Sequence, residues 1–109
     1  MALTSGEMYT TELKIARVHP GEVLEDILNE FGLSAHAASL AMGIPANRLT
    51  AIIKGQRGIT PDTALRLARY FGASAEMWIN MQAGYDLQQA KKRLAKRIQA
   101  EVRPLKASA

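Results

Sequence analysis

A chain of 109 residues with 48% apolar side chains fits one domain with one modest core, and its longest apolar runs fall far short of the ~20 residues that a membrane span needs. It has no cysteine, which excludes disulfides, thiolate catalysis and cysteine-ligated metal. The opening residues lack the basic start and apolar centre of a secretory signal, so the chain reads as cytoplasmic and without membrane association. The net charge of +4 is spread unevenly. Residues 1–33 carry two basic and six acidic side chains, residues 34–83 five and two, and residues 84–109 seven and two, so the later part of the chain is the part that attracts a polyanion.

In chain order, residues 1–18 contain Thr4, Ser5, Gly6, Thr10 and Thr11, with a faint strand-like alternation at Tyr9, Thr11, Leu13 and Ile15. They are expected to form a flexible N-terminal arm. The first helix starts at His19-Pro20-Gly21-Glu22, where Pro20 suits the first helical position because its missing N–H has no intrahelical partner there. Val23, Leu24, Ile27, Leu28 and Phe31 make its apolar stripe, Glu22, Glu25, Asp26 and Glu30 its acidic outer side, and it ends near Phe31, before Gly32. The second helix follows Ser34, a good N-cap, and stops at Gly43, which tolerates a left-handed turn. The third runs from Pro45 to Lys54.

Gly55-Gln56-Arg57-Gly58 then reads as a loop, and Thr60-Pro61-Asp62 restarts the chain as N-cap, first helical residue and an acid suited to the positive helix end. The fourth helix spans Pro61 to Phe71, and Gly72 ends it. Ser74 caps a fifth over residues 75–101, which Gly84 is expected to bend or break. The fold class is therefore all-α, with five helices. Residues 1–18 form an arm, 19–83 the main helical domain, and 84–109 a helical extension with a tail that loses structure from Pro104.

Two short helices joined by a tight, glycine-containing turn, at Ala35 to Met42, Gly43-Ile44 and Pro45 to Lys54, match a helix-turn-helix. Ala38, Met42, Ile44, Leu49 and Ile52 are the apolar positions that lock the pair together. Ser39 stands where alanine is common, and Ala38 is smaller than usual at its position. At ~100° per residue, Leu49, Ile52 and Ile53 face the core, whereas Asn47, Thr50, Ala51 and Lys54 face outward, with Arg48 flanking. That outer face suits the major groove of double-stranded DNA.

Asparagine can bond an adenine edge in two places, arginine can do the same to guanine, and Thr50 and Ala51 are small enough for close approach to thymine methyls. The expected base readers are Asn47, Arg48, Thr50 and Ala51. Ser34, His36, Lys54, Gln56 and Arg57 are the expected phosphate contacts, which orient without reading sequence.

The stretches HPGEVLEDILNEFGLS, IPANRLTAIIKGQRGITPDTALRLARYFG and SAEMWINMQAGYDL, within roughly residues 18–90, resemble the HigA-type antitoxin family of phage-repressor-like helix-turn-helix proteins. The resemblance implies a homodimeric repressor of its own operon. It also implies a partner toxin of the HigB kind, an mRNA-cleaving ribonuclease that such a protein binds and neutralises. The alternatives are a stand-alone transcriptional regulator, since family members also occur without a toxin, and a protein-interaction adaptor on the same scaffold.

Other features have plainer readings. Met77, Trp78, Met81 and Tyr85 recur at helical spacing and read as core or helix-helix packing. Leu87, Leu94 and Ile98, continuing to Val102, form a narrow apolar seam on a charged helix, which suits a dimer mate and hence a palindromic operator with half-sites about one turn apart. Lys91, Lys92, Arg93, Lys96 and Arg97 surround that seam and are either flanking phosphate contacts or a solvated face. Leu40 points away from the core, to be covered by the fourth helix, a dimer mate or a partner. His19 and His36 have no partner at ligand spacing, so no metal is expected. No nucleophile, base and orienting group occur together, and Gly55 to Gly58 lacks the Lys-Ser/Thr of a phosphate loop, so neither catalysis nor a cofactor is expected.

Overall fold

The computed structural model describes residues 18–106; most of the expected arm, including Tyr9 to Ile15, lies outside them. The described residues form five helices: α1 (Pro20–Glu30), α2 (Ala35–Met42), α3 (Ala46–Ile53), α4 (Pro61–Phe71) and α5 (Ala75–Glu101). Among the described residues there is no strand, and no helix is long and apolar enough to cross a membrane.

Each helix begins where the local chemistry allows. The ring of His19 caps α1, its Nδ1 accepting from the Gly21 N–H at 2.9 Å. Ser34, Thr60 and Ser74 cap α2, α4 and α5, each through a side-chain oxygen that accepts a backbone N–H three residues on. Pro45 precedes α3 as its N-cap residue, in extended rather than helical conformation and with no side-chain cap bond.

Gly43 lies in the left-handed region at φ 67° and is followed at once by buried Ile44. That backbone turns the chain between α2 and α3 within two residues, and a β-carbon there would be strained.

The core gathers the apolar face of every helix: Leu24 and Leu28 from α1, Ala38 and Met42 from α2, Leu49 and Ile52 from α3, Ala64 and Leu67 from α4, and Trp78 and Met81 from α5, joined by Ile44 and Ile59 from the turns. The five positions expected to lock the helical hairpin are all buried. Buried Ser39 is accommodated because its hydroxyl donates to the His36 carbonyl at 2.7 Å.

Two sequence expectations change, and one of the three covers left open for Leu40 is removed. Gly84 does not break the last helix, which runs unbroken for 27 residues. Anchoring of Trp78, Met81 and Gln82 on one side and a run of good helix formers on the other outweigh the ~1 kcal/mol cost of an interior glycine. Phe31 leaves the apolar stripe: it is 64% exposed at the end of α1 and stacks on Phe71, ring centres 6.1 Å apart. Leu40 stays 70% exposed, so α4 does not cover it.

The tightest approach joins α1 to α3. A β-carbon built on Gly21 would collide with the main-chain carbonyl of Ile52, so α1 reaches the last turn of α3 only because position 21 carries no side chain. A Gly21→Ala variant is expected to lose about 1–3 kcal/mol of stability through overpacking, read as a lower urea midpoint with an unchanged slope.

Candidate nucleic-acid interface

Helix α3 divides into two faces. Leu49 and Ile52 are completely buried and Ile53 packs at the edge of the core. On the other side Asn47 is exposed and Thr50 and Ala51 are half-buried, while Lys54, Gln56 and Arg57 are exposed just past the helix. The structure thus brings the expected base readers Asn47, Thr50 and Ala51 onto one face and sets Lys54, Gln56 and Arg57 beside it.

Arg48 sits apart from that group. It is half-buried on the flank, and its guanidinium lies 3.8 Å from the Asp62 carboxylate at the start of α4. To reach a base it must leave that carboxylate, which sets it apart from Asn47.

Ser34 and His36 occupy the first turn of α2, where unpaired N–H groups and the helix dipole favour an anion. The Ser34 oxygen already accepts from the Ala37 N–H at 3.1 Å, which leaves its hydroxyl proton free to donate. His36 is exposed.

Two side chains that sequence patterning passed over hold this surface in place. Arg66 of α4 donates from Nη1 to the Met42 carbonyl at 3.0 Å, closing the end of α2 at the turn, and its Nε lies 3.1 Å from Asp62. Arg66 therefore satisfies a carbonyl that the end of a helix leaves open. Gln82 of α5 is buried; its Oε1 accepts the Ile59 N–H at 2.8 Å while its Nε2 donates to Asp86 at 2.9 Å. That bond ties the loop after α3 to the last helix, and a β-carbon on Gly58 would stand 3.0 Å from the Gln82 amide carbon.

Tyr85, one turn further along α5, lines one cleft with His19, Lys54 and Gly55 and meets the His19 ring edge-on, centres 5.0 Å apart. No periodic apolar signal marks these polar bonds, whose partners lie 23 or 24 residues away. Among the described residues no three His, Asp or Glu side chains gather in a way that could hold a metal ion.

The Helix-turn-helix family model matches residues 24–78. Virulence-associated protein I of Dichelobacter nodosus is 54% identical over 74 residues, 67% of this chain and 68% of that protein. An addiction module antidote protein of the HigA family from Coxiella burnetii is 46% identical with a TM-score of 0.76, covering 81% of this chain and 97% of that one. The Pseudomonas aeruginosa antitoxin HigA, solved with the higBA promoter, is 42% identical with a TM-score of 0.79, covering 82% and 98%.

Replacing Gln82 by Leu keeps the volume but leaves the buried Ile59 N–H without an acceptor, a loss of about 1–3 kcal/mol. Thermal melts are expected to show it as a lowered midpoint, and Gln82→Glu should fare no better, because a buried carboxylate would face Asp86 where the amide Nε2 now donates to it.

Proposed function

The chain belongs to the HigA-type antitoxin family of helix-turn-helix proteins, a family of DNA-binding regulators rather than of enzymes, and from that membership we propose that it represses its own operon and neutralises a toxin encoded beside it. The observation that carries the DNA-binding half is the division of α3: one face buried through Leu49 and Ile52, the other offering Asn47, Thr50 and Ala51 beside the cations Lys54 and Arg57. An adaptor would be expected to present apolar groups there instead.

In this reading α3 enters the major groove. Asn47 bonds a base edge, Thr50 and Ala51 allow the close approach, and Arg48 exchanges Asp62 for a guanine edge when the site offers one. Ser34, His36, Lys54, Gln56 and Arg57 hold phosphates and fix the register. Leu87, Leu94 and Ile98 pair with the same seam of a second copy. Leu87 and Ile98 are at least half exposed in the single chain, so they have apolar surface to give to a mate. The dimer sets two copies of α3 about one turn of DNA apart. The toxin, a ribonuclease of the HigB kind, follows from the family. It is tested by co-expressing the neighbouring small reading frame: co-purification of its product supports an antitoxin, and its absence favours a stand-alone regulator.

The DNA reading is tested with two variants on an operator duplex and on a scrambled one. Asn47→Ala should lose about 1–3 kcal/mol of binding at one operator position and little on scrambled DNA. Arg57→Ala should weaken binding to both and lower the salt slope by ~1.8 for the dimer, at ~0.9 for each copy's lost contact. Equal losses by both variants on both duplexes would contradict the division of roles.

A further inference from the structure

The C-terminal half of α5 has two faces, and the unbroken helix fixes how they are set against α3. Gln82 and Tyr85 mark the side that touches the DNA-facing loop, since Gln82 holds Ile59 and Tyr85 lines the cleft with Lys54 and Gly55. At ~100° per residue, Lys92, Arg93 and Lys96 fall within about 80° of Gln82, on that same side. Leu87, Leu94 and Ile98 fall about 120–160° from it, on the opposite side. With a rise of ~1.5 Å per residue, Arg93 and Lys96 lie roughly 12 and 16 Å beyond Tyr85 along the axis.

These three cations are exposed, and among the described residues none takes part in an ion pair. The acid on the same side, Asp86, accepts from Gln82, and Glu101, about 100° away, accepts from Arg97. The side of α5 that begins at the phosphate loop therefore continues outward as a strip of unpaired positive charge.

We propose that Lys92, Arg93 and Lys96 form a second phosphate-binding surface, continuous with Lys54, Gln56 and Arg57, that grips the backbone of the duplex whose bases α3 reads. The inference rests on the DNA-binding reading above and extends it. The strip carries no sequence information; it adds affinity and steers the chain onto DNA. Because the apolar seam is on the far side of the same helix, dimer formation and phosphate contact do not compete for one surface.

The test measures binding to an operator duplex across a range of salt concentrations for the wild-type chain, the triple variant Lys92→Gln/Arg93→Gln/Lys96→Gln, and the single variant Lys91→Gln. Lys91 is next to Lys92 in sequence but about 180° from Gln82 around the helix, beside the apolar seam, so the dimer mass of this variant is confirmed by sedimentation before its slope is read. The triple variant should flatten the plot of log K against log salt by roughly 5.4 for the dimer, at ~0.9 for each phosphate lost and three lost per copy, and Lys91→Gln should leave it as in the wild type. A triple variant with the wild-type slope would overturn the inference. So would a Lys91→Gln variant that loses as much per charge as the triple, since that is a net-charge effect with no face. A wild-type chain that binds no duplex would instead remove the DNA-binding reading and this inference with it, a result seen before any variant is compared.

Discussion

Helix α3, the proposed reading helix, has only eight residues, and a helix that short has almost no stability of its own in water. Its order is borrowed from burial. Leu49 and Ile52 are fully enclosed, and the last turn lies so near α1 that position 21 must be glycine. Turn, loop and last helix all serve that constraint. Gly43 aims α2 into α3, Arg66 satisfies the carbonyl left open at the turn, and Gln82 holds the loop on the far side. The outward face is then presented as a rigid array, so that little ordering remains to oppose binding.

The same constraint explains why α5 matters to a site made largely by α2 and α3. Its first half supplies Trp78 and Met81 to the core and Gln82 to the loop. Its second half leaves the body of the domain carrying an apolar edge and a basic edge. A continuous helix fixes the relative rotation of those edges, which a flexible linker could not do. The absence of a break at Gly84 therefore has a consequence for function, since it makes the direction of Lys92, Arg93 and Lys96 follow from the position of Gln82.

The parts legible in the sequence were those with local or periodic causes. Ser34, Thr60 and Ser74 announced their helices by cap chemistry, Gly43 its turn, and Leu49 and Ile52 the buried side of α3 by spacing, which also fixed the outward direction of Asn47 and Thr50. The parts not legible depend on partners distant along the chain. Gly21 looked like one more residue near a helix start, yet its role is set by the Ile52 carbonyl. Gln82 belongs to no periodic pattern in the sequence and is a buried tie to Ile59. Arg48 was placed correctly around the helix, but its approach to Asp62 depends on where α4 begins in space. Phe31 matched the apolar stripe, but the helix ends there and the ring turns out to meet Phe71.

The central claim is that two copies of α3, set by a dimer, read one duplex. Hydroxyl-radical footprinting of the operator in the presence of the protein tests it most directly. The account predicts two protected half-sites related by a two-fold axis, with centres about 10 base pairs, or one turn, apart. A single protected half-site, or two in direct rather than inverted orientation, would contradict it.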